Sequence, residues 1–150
     1  MAPSTVSSVV ARSTFGYSVS LRVRHPSLDP AELTRALRLE PLHCWRAGEP
    51  RRSDTGAALG GEHHDSYWAA PLPGEAVGAA AFPLELFLGR QLLQLGRHRE
   101  LLDRLRAEGG QVSLLVEISP DESAVLTLGT AVSRQLADLN IELEFQFVSE

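Results

Sequence analysis

Three stretches of the chain carry apolar residues at every second position, and this pattern constrains the fold more than any other feature. The stretches cover residues 17–24, 112–118 and 141–147. Side chains along a β-strand point alternately to the two faces of a sheet, so each stretch predicts a strand with one apolar and one polar face. Such a sheet is covered by other elements on one side only.

Two segments show a helical pattern instead. Asp29 and Pro30 match the N-cap and the first position of a helix, which Pro41 is expected to end. Apolar residues recur with a helical period over residues 83–107, where Gly96 favours a division into two helices. The other predicted elements are a helix from Thr130 to about Asn140 and short strands at residues 43–46, 66–70 and 124–128.

In chain order these elements predict an α+β fold with a mixed, largely antiparallel sheet and helices packed on one face. The first part has a ferredoxin-like order, β-α-β-β-α-β, and β-α-β follows. A chain of 150 residues suits one core, and residues 15–150 are predicted to form a single domain. Residues 1–14 are rich in serine and small residues and are expected to be a disordered leader rather than a secretory signal.

Charge and cysteine content narrow the range of partners. The formal net charge is -5, which disfavours nucleic acid and anionic membranes as partners. The most apolar window, residues 76–88, is interrupted by a glycine, a proline and a glutamate, so no membrane span is expected. A single cysteine excludes an intramolecular disulfide, and the sequence therefore predicts a cytoplasmic protein.

Residues 43–68, the aromatic/arginine segment, follow neither period and hold both tryptophans. An arginine side chain pairs with carboxylate or phosphate, and an indole ring offers a stacking wall beside it. The segment therefore predicts a ligand-binding site, although both tryptophans could instead fill the core while the arginines are solvated. The candidate binding residues are Trp45, Arg46, Arg51, Arg52, Tyr67 and Trp68.

No catalytic residue, metal site or cofactor is predicted. His63, His64 and Asp65 are able to bind metals, but neighbours on an extended chain point to opposite faces. No pair of ligands has the spacing that holds zinc on one local element, and a zinc site would need His25 or His43 to converge from elsewhere in the chain. Cys44 also lacks any local signature of a catalytic nucleophile.

The polar faces of the first and last predicted strands form a second candidate surface. This surface is available for binding, or it is simply solvated. Its members are Ser18, Ser20, Arg22, Arg24, Glu142 and Glu144.

Four motifs resemble a bacterial family catalogued as domain of unknown function 4279. They are residues 17–23, 29–37 and 45–50, and the glycine pair 60–61 followed by residues 66–68. The resemblance covers about residues 17–70 and implies a small bacterial domain without assigned catalytic residues. His63 and His64 are not part of the family pattern, whose motif positions here are Thr34, Trp45, Arg46, Gly48, Gly61, Tyr67 and Trp68.

The leading hypothesis is a non-enzymatic binding or protein-interaction module that uses the aromatic/arginine segment. Its partner would be another protein or a small anionic ligand, and a homodimer is possible. One alternative is an enzyme in which Arg46 anchors an anion and His63, Asp65 or Tyr67 acts as acid or base. A second alternative is an acidic inhibitor or immunity-type protein, because residues 111–150 carry a net charge of -6.

Overall fold

The computed structural model describes residues 16–73, 83–119 and 125–148. It confirms the predicted α+β class. The strands are β1 (Gly16–His25), β2 (His43–Trp45), β3 (Pro50–Arg52), β4 (Ala58–Glu62), β5 (Ser66–Pro71), β6 (Gln111–Ser119) and β7 (Glu142–Phe147). The helices are α1 (Pro30–Leu37), α2 (Leu84–Gly96), α3 (Arg99–Ala107) and α4 (Thr130–Leu139).

Five strands form the main sheet in the order β2-β5-β1-β6-β7. Strand β1 pairs antiparallel with β5 and β6, and β2 pairs antiparallel with β5. Strand β7 runs parallel to β6, which α4 makes possible because it carries the chain back across the sheet. The sheet is therefore mixed and largely antiparallel, as predicted. Strands β3 and β4 form a separate two-stranded hairpin.

The alternation read from the sequence separates a core side of the sheet from a polar side. The apolar residues of β1 are at most 4% exposed, whereas Ser18 and Arg24 are exposed on the opposite face. Helices α2, α3 and α4 place their buried leucines in the same core cluster as β1 and β6. In the part of the chain that the structure describes, no helix has the length and apolar character needed to cross a bilayer.

Helix α1 begins where the sequence predicts and ends earlier. Asp29 is the N-cap, and its side-chain oxygen accepts a hydrogen bond of 3.1 Å from the N–H of Ala31. The helix ends at Leu37, because Arg38 adopts a left-handed conformation with φ of 56°. The N–H of Arg38 donates to the carbonyl of Thr34 at 2.9 Å. This left-handed cap, rather than Pro41, ends the helix.

The predicted division of residues 83–107 is confirmed. Helix α2 ends at Gly96, and α3 begins at Arg99. The N–H groups of Arg97 and His98 donate to the carbonyls of Gln94 and Leu95, which closes α2 with tight turns before the chain bends into α3.

The predicted strand at residues 124–128 is wrong where the structure describes it. Residues 125–128 have no regular structure, and residue 124 lies outside the described residues. A hairpin partner of β6 would need a free edge, and β1 and β7 occupy both sides of β6. The ferredoxin-like order predicted for the first part is not confirmed, because the chain forms two further strands, β3 and β4, between β2 and β5. The proposed leader, residues 1–14, also lies outside the described residues.

Candidate ligand-binding site

The polar side of the five-stranded sheet, here called the outer face, carries rows of side chains set by the strand register. One row joins Trp45 on β2, Tyr67 on β5, Arg24 on β1 and Gln111 on β6. Residues that pair across neighbouring strands project on the same face. The register therefore brings two residues of the aromatic/arginine segment beside an arginine of the central strand.

Three aromatic rings stack at one end of this row. Trp45 stacks on His63, with ring centroids 4.2 Å apart and planes at 11°, and on Tyr67, at 4.8 Å and 27°. His63 follows β4 and is held in place by backbone hydrogen bonds. The N–H of Gly48 donates to the carbonyl of His63, and the N–H of His63 donates to the carbonyl of Glu49, both at 2.9 Å. These bonds fix the β3–β4 hairpin against the rings.

Two arginines of β1 surround Tyr67. The Nε–H of Arg22 donates to the hydroxyl oxygen of Tyr67 at 3.0 Å. The guanidinium carbon lies 5.7 Å from the Tyr67 ring centroid for Arg22 and 5.3 Å for Arg24. Both distances fall within the range of cation–π attraction. Arg22 also forms an ion pair of 3.5 Å with Glu144 on β7, so the two arginines differ in their electrostatic surroundings.

A hollow of about 170 Å³ opens on the outer face between β1 and β7. Strand β6 forms its floor, and the charged side chains of the neighbouring strands form its walls. Its lining residues are Arg22, Arg24, Tyr67, Gln111, Ser113, Glu142 and Glu144.

Trp68 lies on the other side of the sheet from Tyr67. It is 0% exposed, and its Nε1–H donates to the hydroxyl oxygen of Thr34 on α1 at 3.1 Å. Neighbouring residues of a strand point to opposite faces, so the contiguous motif is split between the core and the surface. The structure therefore does not bring Trp68 to the outer face with Trp45 and Tyr67.

The remaining arginines predicted for the site point elsewhere. Arg46 follows β2, and its side chain lies 4.0 Å from the carboxylate of Asp29. Arg51 and Arg52 lie exposed on β3, and Arg52 donates to the carbonyl of Gly56 at 3.4 Å. Of the six residues predicted to bind a ligand, only Trp45 and Tyr67 belong to the outer-face row.

The residues of the enzyme alternative are brought together only in part. His63 and Tyr67 both contact Trp45, but Asp65 faces His64, with 3.4 Å between the carboxylate and Nδ1. Neither Arg46, His63 nor Asp65 lines the hollow that contains Tyr67.

Cys44 and the histidines belong to no cluster of metal-binding side chains in the described part of the chain. Within residues 16–73, 83–119 and 125–148, no group of three or more His, Cys, Asp or Glu side chains is placed to hold a metal ion. Partial burial raises the pKa of the Cys44 thiol, and the negative charge of Glu49 raises it further. Less of the thiol is therefore ionised at a given pH than in a free cysteine, which makes it a weaker nucleophile.

Sequence reasoning identified the charged members of the outer face and missed two neutral ones. Gln111 and Ser113 form the floor of the hollow between Arg24 and Glu142. The available signal was their alternation with buried valine and leucine in β6, which placed them on the polar face. Their position beside Tyr67 depends on β1 lying between β5 and β6, a long-range pairing that the local pattern does not encode.

Comparisons with known proteins identify a family and no activity. The searches of curated proteins and of solved structures found no match. A family model described as Domain of unknown function (DUF4279) matches residues 14–149, which extends the sequence resemblance to nearly the whole chain. This chain belongs to the DUF4279 family.

Proposed function

We propose that this protein is a non-enzymatic binding module that holds an anionic group at Arg24, beside Tyr67 on the outer face. The anionic group is a carboxylate or phosphate of a small ligand. The observation that carries the proposal is the state of Arg24. It is exposed, it packs on an aromatic ring, and it has no ion-pair partner among the described residues.

An arginine in this position suits anion binding. Its guanidinium presents several N–H donors in one plane, which match the oxygens of a carboxylate or phosphate. Stacking on Tyr67 limits the freedom of the side chain before a ligand arrives, so less entropy is lost on binding. Arg22, in contrast, already donates to Tyr67 and pairs with Glu144.

The stacked rings support Tyr67, the aromatic residue that lines the hollow. Trp45 contacts both His63 and Tyr67, and the β3–β4 hairpin supports this stack from outside the main sheet. Aromatic side chains offer a large contact area and few rotatable bonds. The lining of the hollow combines guanidinium, carboxylate, amide and hydroxyl groups, which are able to pair with and hydrogen-bond to a charged ligand.

The test is a titration of the protein with carboxylates and phosphates at constant ionic strength, followed by intrinsic fluorescence. Trp45 reports on the site because it stacks on Tyr67. We expect at least one anion to change the emission, and Arg24→Gln to weaken its binding by about fivefold, the upper end for an exposed ion pair. Arg97→Gln, which removes an exposed arginine at the end of α2, is the matched control.

Two results would contradict the proposal. One is the absence of any response across the panel, measured by fluorescence and by thermal shift. The other is equal weakening of binding by Arg24→Gln and Arg97→Gln, since a general loss of positive charge would then explain the effect.

A further inference from the structure

The hollow on the outer face holds a second group without an ionic partner. Glu142 on β7 is exposed, and among the described residues it forms no ion pair. It lies across β6 from the arginines, with Ser113 between Glu142 and Arg22 in the register. One wall therefore offers the cation of Arg24, and the opposite wall offers an anion.

Sheet geometry keeps these two groups apart. Arg24 and Glu142 are separated by two strand spacings and by two residues along the strands, or roughly 12 Å between Cα atoms. Both side chains line the hollow, with the small residue Ser113 on the strand between them, and no ion pair joins them. Arg22 and Glu144 have the same relative position in the register, and they form a direct ion pair of 3.5 Å.

We infer that the ligand of this site is a small zwitterion, which carries a carboxylate for Arg24 and an ammonium group for Glu142. This inference rests on the proposed function and deepens it by naming the class of ligand. Each charge of such a molecule meets an unpaired charge of opposite sign. The hollow of about 170 Å³ has room for roughly six water molecules, which is the size of a free amino acid.

The floor of the hollow adds polar groups to the charged walls. Gln111 and Ser113 both line it. The Gln111 amide both donates and accepts hydrogen bonds, and so does the Ser113 hydroxyl. These two residues are therefore able to contact both the carboxylate and the ammonium group of one molecule.

The test compares molecules that differ by one charge. Amide chemical shifts of the protein are followed by NMR during titration with γ-aminobutyrate, butyrate and butylamine at constant ionic strength. The two charges are closer together in glycine than in γ-aminobutyrate and farther apart in ε-aminocaproate. Comparison of the three affinities shows which spacing the site prefers. We expect the best of these amino acids to bind at least about fivefold more tightly than either singly charged molecule, with shifts at Arg24, Gln111, Ser113 and Glu142.

Two variants assign each charge to its partner. In Glu142→Gln, γ-aminobutyrate should lose its advantage over butyrate, because the ammonium group has no anion to meet. In Arg24→Gln, it should lose its advantage over butylamine. Arg97→Gln and Glu100→Gln remove exposed helical charges of the same kinds and should leave both advantages unchanged.

The outcomes separate this inference from the proposed function. If butyrate binds wild-type protein as tightly as every amino acid tested and still depends on Arg24, the site binds anions and the zwitterion inference is wrong. If no molecule of this set shifts the outer-face resonances, the zwitterion inference is wrong, and the titration with carboxylates and phosphates decides the proposed function separately. A loss of binding in Arg97→Gln or Glu100→Gln equal to that in the site variants would also overturn the inference.

Discussion

At the scale of single residues, His25 shows how a buried polar group is made stable. It is 5% exposed, and its Nδ1 accepts hydrogen bonds from the N–H groups of Ser27, at 3.0 Å, and Leu28, at 2.9 Å. The proton of the neutral ring must therefore reside on Nε2, which donates to the Glu108 carboxylate at 3.0 Å. This histidine holds the turn between β1 and α1 together and is a structural residue.

We predict that His25→Ala lowers the free energy of unfolding by roughly 2–4 kcal/mol, because two N–H donors lose their acceptor. His25→Asn should lose less, since its side-chain oxygen can accept from the same donors. Urea denaturation measures both variants. Equal stability of His25→Ala and wild type would show that the turn does not depend on these bonds.

At the scale of elements, a single hydrogen bond joins α1 to β5. The Nε1–H of Trp68 is buried and donates to Thr34 at 3.1 Å. We predict that Thr34→Val, which keeps the shape of the side chain and removes its hydroxyl, lowers the free energy of unfolding by roughly 1–3 kcal/mol. Thr34→Ser retains the hydroxyl and serves as the control. If thermal and urea unfolding show equal losses for both variants, the hydrogen bond does not hold the two elements together.

The accuracy of sequence-based prediction also varies between elements for physical reasons. Strand β1 and the start of α1 depend on local signals, namely alternation and the Asp29 cap, and both were predicted. The end of α1 was misplaced because a left-handed Arg38, which is not glycine, precedes Pro41. The strand expected near residue 125 failed because β7 already occupies the edge of β6. Which strand pairs with the edge of β6 depends on the whole sheet, so the local sequence pattern does not determine it.

At the scale of the whole molecule, the candidate site is formed by residues that are far apart in the sequence. Tyr67 and Arg22, which are 45 residues apart along the chain, meet through antiparallel pairing of β1 and β5. The sequence indicated the polar strands and the aromatic/arginine segment as separate surfaces. Their union required the strand order and register, whereas a core position was one of the two alternatives that the sequence left open for both tryptophans, and only Trp68 has it.

The two tryptophans provide a direct test of this architecture, because they lie on opposite sides of one sheet. Trp68 is 0% exposed, whereas Trp45 is partly exposed within the aromatic stack. Acrylamide should therefore quench only part of the wild-type fluorescence, and the quenchable part should disappear in Trp45→Phe. Strong quenching that persists in Trp45→Phe would place Trp68 at the surface and contradict the assignment of the two faces.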